Sequence, residues 1–273
     1  MPVKKDSSGR HYVEVETEVP GTPEEVWQAI ATGPGITAWF VPAKVEEREG
    51  GAITLDFGPG MQSESVVKVW DPPRRFVAEG DMGPGSPTVA DEWTIEAKSG
   101  GTCRVRVVHS WFASTDDWDG QYEGVESGWP AFFRILKIYL GQFTGQPSEL
   151  VQLMAMSTEN KSAAWKKVLG SLGLAQLAEG QRAESAQGAP RLAGMVERVV
   201  DEEFFVRLEE PTSGVAHFMA MSMGDQAYLS LSLYLYGPQA KAVAAREAPV
   251  WQAWLDGVFP PADATTESGA STP

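Results

Sequence analysis

Twice along this chain a block of strand-like alternation ends in a helix-period segment that carries a tryptophan close to a proline. The first such segment is SGWPAFFRILKIYLGQF, Ser127 to Phe143; the second is EAPVWQAWLDGVF, Glu247 to Phe259. A sheet with one apolar face must bury that face, and so must a helix with one apolar stripe. Covering each block of strands with the helix that follows it satisfies both needs. The expectation is an α+β chain in which a curved antiparallel sheet wraps around a long C-terminal helix, repeated twice, with the second copy shorter.

The local signals agree. HYVEVETEV (11–19) alternates strictly, with Val13, Val15, Thr17 and Val19 on one face, which predicts a half-buried strand. In GTPEEVWQAI, Thr22 is an N-cap, Pro23 fits the first helical position and Glu25 completes a capping box. A second short helix is expected over GITAWF (35–40). From Val41 to Ser110 about six strands follow, each with a single apolar face and joined by short turns, which predicts an antiparallel sheet with one wet side. Residues 116–143 predict a long helical region that Pro130 kinks. Its inward stripe is Phe132, Phe133, Leu136, Tyr139, Leu140 and Phe143.

The pattern then recurs. ELVQLMAMS reads as a strand, and in the helix that follows Trp165, Val168, Leu169 and Leu172 share one face. Residues 176–190 read as a linker or long loop. Four strands follow, and Pro238 is expected to start the last helix. KVWDPPRRFVAEGD (68–81) parallels RVVDEEFFVRLEE (198–210), as an internal repeat requires. The expected organisation is one unit over 11–143, a second and shorter one over 148–259, and a disordered tail over 260–273.

Composition narrows the partners. The chain has 273 residues and a formal net charge of −15, from 22 basic and 37 acidic side chains. Binding to nucleic acid needs clustered cations, and none are clustered here, so neither nucleic acid nor an anionic membrane is an expected partner. No apolar run approaches the roughly 20 residues that span a bilayer, MPVKKDSSGRHY has no apolar signal-like core, and a single Cys makes no internal disulfide. These features fit a cytoplasmic protein.

With these elements in order, residues 11–143 resemble the bacterial proteins homologous to the C-terminal domain of the heat-shock chaperone ATPase activator, in the START-like helix-grip (SRPBCC) superfamily. The resemblance rests on VPGTPEEVWQAI, on AWF (38–40), EGG (49–51), DPPRR (71–75) and SGGT (99–102), and on Gly128-Trp129 at the last helix. It implies a seven-stranded antiparallel sheet around the C-terminal helix, with a cavity between them. The second half is similar at superfamily level only and lacks GGT and GW.

The candidate site residues follow from parity. Trp39, Phe40, Phe57, Trp93, Trp129 and Phe133 are placed to line an apolar pocket between sheet and helix. His109 faces inward with Val105 and Val107, either as a ligand contact or as a buried histidine satisfied by backbone. Asp91 shares the inward face of its strand with Trp93, so an Asp91–His109 pair across neighbouring strands is conceivable, but a solvated Asp91 and a His109 without a catalytic partner are expected. His217, among Val215, Met219 and Met221, is read as structural, and His11 as terminal and exposed. Cys103 reads as an inert small hydrophobe. No two histidines share ligand spacing, so neither a metal nor a cofactor is expected, and no catalytic motif is present.

Three functions stay open. The first is a non-catalytic protein that holds an apolar or aromatic small molecule in the first unit. The second is an enzyme of the cyclase, dehydratase or hydrolase kind found in this superfamily, with His109 and Asp91 as acid and base. The third is an interaction module for a chaperone or another polypeptide. An inward polar pair favours the enzyme, a dry cavity the binder, and a filled core with an exposed aromatic patch the interaction module.

Overall fold

The computed structural model describes residues 3–6, 9–58, 61–81, 88–112 and 119–260, with backbone alone for 112 and 119–127. The chain divides into two units, Met1–Ser148 and Glu149–Pro273.

In the first unit the alternating segments pair as β2 (Arg10–Pro20), β3 (Ala43–Val45), β4 (Ala52–Asp56), β5 (Gln62–Asp71), β6 (Arg75–Asp81), β7 (Thr88–Lys98) and β8 (Thr102–Phe112). A two-residue strand, β1 (Lys4–Lys5), adds an edge, so the sheet has eight strands rather than the expected seven, in the order β1-β2-β8-β7-β6-β5-β4-β3. Every pairing is antiparallel. The extra strand forms because Lys4 and Lys5 can pair with Tyr12 and His11 on the open side of β2.

Helix α1 (Pro23–Ala31) starts at the expected capping box: Thr22 Oγ1 accepts from the Glu25 N–H, and the Glu25 carboxylate accepts from the Thr22 N–H at 2.8 Å. Helix α2 covers Gly33–Thr37, so it starts earlier than expected and ends before Trp39 and Phe40. Thr32 explains the early start, because its hydroxyl caps the Gly35 N–H at 3.1 Å. Gly35 also lies so close to the Gln28 carbonyl that a Cβ there would sit 1.8 Å from the oxygen. Helix α3 (Asp119–Gln142) closes the unit and lies against β2. Pro130 is exposed while Trp129 and Phe133 are buried, so the break in the hydrogen-bond ladder falls on the outer side.

The second unit is built from β9 (Ser148–Ser157), α4 (Lys161–Leu172), β10 (Arg182–Glu184), β11 (Ala193–Val200), β12 (Glu203–Glu210), β13 (Gly214–Met223), β14 (Gln226–Tyr236) and α5 (Ala240–Val258). Its six strands are ordered β10-β11-β12-β13-β14-β9. Two expectations are corrected here. The stretch 176–190 is not all linker, since β10 pairs with β11 and buries Ala183. The last helix starts at Ala240, two residues after Pro238. Trp165, Phe204, Ala216, Phe218, Trp251 and Leu255 belong to one continuous core between this sheet and its helices. Of the tail expected over 260–273, residues 261–273 lie outside the described residues.

Candidate functional site

The register of the first sheet lays its inward side chains out in rows. One row runs Val15, Val107, Trp93, Phe76, Trp70 across β2, β8, β7, β6 and β5; the next runs Val13, His109, Asp91, Ala78, Val67; the third runs His11, Trp111, Val89, Gly80, Ser65. The middle row places one imidazole and one carboxylate side by side between apolar neighbours. His109 Nδ1 and Asp91 Oδ1 are hydrogen-bonded across the β7–β8 ladder. The His109 side chain is 10% exposed and that of Asp91 37%. The expectation of a solvated Asp91 and an unaccompanied His109 is therefore corrected. The KSGG turn sets the register that opposes positions 91 and 109, and the pleat turns both inward.

Burial works against the imidazolium at His109, but the charge of Asp91 and its hydrogen bond outweigh burial, and the pKa of His109 stands above its ordinary value. Asp91 uses one oxygen for this pair; its other oxygen, Oδ2, has no partner among the described residues. The arrangement is a histidine oriented by a carboxylate that favours its charged form and remains reachable from solvent.

The six aromatic residues expected to line a pocket are brought together, but mainly against one another. Trp39 stacks on Phe40 at 5.5 Å, Phe40 stacks on Trp129 at 5.5 Å, and Trp129 meets Trp93 edge-on at 5.3 Å. Phe133 lies 5.6 Å from Trp129, and Phe57 meets Phe40 edge-on at 5.6 Å. Trp39, Phe40, Trp93, Trp129 and Phe133 are all buried, and Phe57 is half-buried at the margin. The cluster thus forms a packed aromatic floor beside the Asp91–His109 row. Trp39 is tied into it structurally, donating its indole N–H to the Ala29 carbonyl at 2.9 Å. The indole Nε1 of Trp129 is buried and has no hydrogen-bond partner among the described residues.

The other candidates fall elsewhere. His11 is buried, not exposed: the pleat turns it inward beside Trp111, with ring centroids 5.8 Å apart. Cys103 is fully buried and donates its S–H to the Gly21 carbonyl at 3.4 Å; burial first, then the charges of Glu24 and Glu25, push its thiol pKa up. In the second unit His217 lies on the sheet face opposite Ala216 and Phe218. It stacks on Phe205 at 4.3 Å and bonds Glu203 through Nε2 at 2.8 Å. Sequence reasoning missed Glu203, because only the register across the turn at 209–213 brings it diagonal to His217. Two depressions of about 380 and 420 Å³ lie in this unit, one between the segment 173–178 and β10–β11, the other between β9 and α5. Among the described residues no group of three or more His, Cys, Asp or Glu side chains is placed to hold a metal, and no helix is long and apolar enough to cross a membrane.

Residues 20–141 match the profile of the family described as Activator of Hsp90 ATPase homolog 1-like protein (AHSA1). The chain carries an AHSA1-like domain. That domain falls within the first unit and contains the whole aromatic floor together with Asp91 and His109. Among solved structures, the di-domain ARO/CYC protein BexL of the BE-7585A biosynthetic pathway is similar at 13% identity, over 92% of this chain and 99% of its own, with a TM-score of 0.45. DynU16 of the dynemicin biosynthetic locus is similar at 17% identity over 90% and 96%, with a TM-score of 0.43. Aha1 of Colwellia psychrerythraea is similar at 19% identity, over 47% of this chain and 95% of its own, with a TM-score of 0.40. No curated protein sequence matches the chain.

Proposed function

We propose that the AHSA1-like unit binds an apolar or aromatic small molecule between its sheet and α3, at the end of the sheet where Asp91 and His109 lie. The observation that carries this reading is the single polar pair set in an otherwise apolar row, with Asp91 still 37% exposed. An apolar surface with a few convergent polar groups is the usual form of a small-molecule site. Trp93 and Trp129, edge to face at 5.3 Å, supply aromatic surface, and Ala78 is the small side chain opposite Asp91 on the neighbouring strand. The test is calorimetric titration with 2-ethylnaphthalene. The wild-type protein binds it saturably. His109→Phe binds it more weakly while its stability stays within about 1 kcal/mol, since Asp91 is exposed enough to be hydrated when it loses its partner. Full affinity in the variant contradicts the placement.

A second reading, acid–base catalysis on the bound molecule, is favoured by the Asp91–His109 hydrogen bond itself. It orients the imidazole through Nδ1, as a base with an orienting partner requires. This reading demands a turnover that Asp91→Asn loses while binding is kept.

A further inference from the structure

The buried indole N–H of Trp129 is an unmet donor inside the first unit. Trp129 is only 8% exposed, and its Nε1 has no hydrogen-bond partner among the described residues. Leaving such a donor unpaired costs about 1–3 kcal/mol, so native structures keep few of them. The contrast with Trp39 is direct. Both rings belong to the same aromatic cluster and both stack on Phe40, yet Trp39 donates to the Ala29 carbonyl and Trp129 donates to no described residue. The described rings in contact with Trp129, those of Phe40, Trp93 and Phe133, offer no oxygen.

Trp129 also lies near the polar pair. Its ring is 5.3 Å from Trp93, and Trp93 is two residues from Asp91 on the same face of β7, a separation of about 7 Å along a strand. Indole N–H is a donor only, so its complement must be an acceptor. Asp91 and His109 are polar groups that the same inward face of β7 and β8 sets next to Trp93.

We infer that the ligand of this unit carries an acceptor oxygen, a carbonyl or carboxylate on an aromatic or apolar body, and that Trp129 Nε1 is the donor that recognises it. This rests on the small-molecule reading above and deepens it: Trp39 holds the floor together, and Trp129 selects the ligand. Because the acceptor is fixed at the floor, the rest of the molecule is directed toward Asp91 and His109.

The test compares two probes with the same naphthalene body, 2-acetylnaphthalene, which has a carbonyl, and 2-ethylnaphthalene, which has none. The wild-type protein is expected to bind the acetyl probe about tenfold more tightly, the size of one buried hydrogen bond. Trp129→Phe keeps a stacking ring but has no donor, and it is expected to bind both probes equally, at the affinity the wild-type protein shows for the ethyl probe. A second readout needs no variant: in ¹⁵N-labelled wild-type protein the Trp129 indole N–H resonance, assigned through bonds, shifts with the acetyl probe and not with the ethyl probe. Equal affinities in the wild type, a preference that survives in Trp129→Phe, or an indole resonance that ignores the carbonyl each overturn the inference and leave the binding reading standing. If neither probe binds the wild-type protein, the binding reading fails and the inference fails with it.

Discussion

Asp91 and His109 are directly opposite each other on β7 and β8, and the carboxylate of the first is hydrogen-bonded to Nδ1 of the second. Two consequences follow from this relationship. The imidazole is protonated to higher pH than an ordinary histidine, and the pair is the one charged feature of its row across the sheet. Removing the carboxylate leaves burial acting alone, and burial opposes the charge.

The first prediction therefore concerns pH. A histidine whose pKa is higher in the folded than in the unfolded chain adds stability that is fully present below the unfolded value, 6.5, and is lost as pH rises through the folded value. In Asp91→Asn that contribution disappears. The stability gap between wild type and Asp91→Asn is expected to be largest below pH 6.5 and to shrink above it, measured by denaturant unfolding across pH. An NMR titration of His109 should give a midpoint above 6.5 in the wild type and below it in the variant. Equal midpoints contradict the pair.

Trp129→Ala removes a buried ring from contact with Phe40, Trp93 and Phe133. The expected loss is roughly 3–5 kcal/mol, read from urea unfolding. An unchanged midpoint contradicts the role of α3 as the cover of this sheet.

Gly35→Ala puts a Cβ 1.8 Å from the Gln28 carbonyl oxygen, which is backbone and cannot swing away. The α1–α2 corner must open. The cost should reach or exceed the upper end of the roughly 1–3 kcal/mol typical of overpacking, visible as a lower melting temperature. Thr22→Ala at the start of α1 should cost about 1 kcal/mol, because it removes only the cap.

Cys103 tests the core of the same unit. Its thiol is fully buried, is bonded to the Gly21 carbonyl and has a raised pKa. An aromatic disulfide reagent at pH 8 should leave it unmodified in the native protein and modify it in denaturant. Rapid native modification contradicts the described burial.

Much of this was legible in the sequence, for identifiable reasons. The alternation in β2, β7 and β8 gave the inward face, and the short KSGG turn fixed which residues oppose one another, so Asp91 opposite His109 was conceivable from parity, whereas the hydrogen bond between them was not expected. The aromatic set was also readable, because Trp129 and Phe133 share a helix face. Its arrangement was not. Whether six aromatic rings line a space or fill it depends on packing in three dimensions, and here they largely fill it. His11 was misread because nearness to the terminus suggested exposure, whereas β1 and Trp111 bury it. The unmet N–H of Trp129 has no sequence signal, since the partner of a tryptophan is set by what its ring rests against.

The most direct test of the proposed site is a ¹³C-labelled histidine NMR titration with 2-ethylnaphthalene. His109 is at the site and His217 is in the other unit, so the two report separately. The account predicts a saturable shift of the His109 ring with His217 unmoved. Saturation of the protein with His109 unmoved, or no saturation at all, would contradict it.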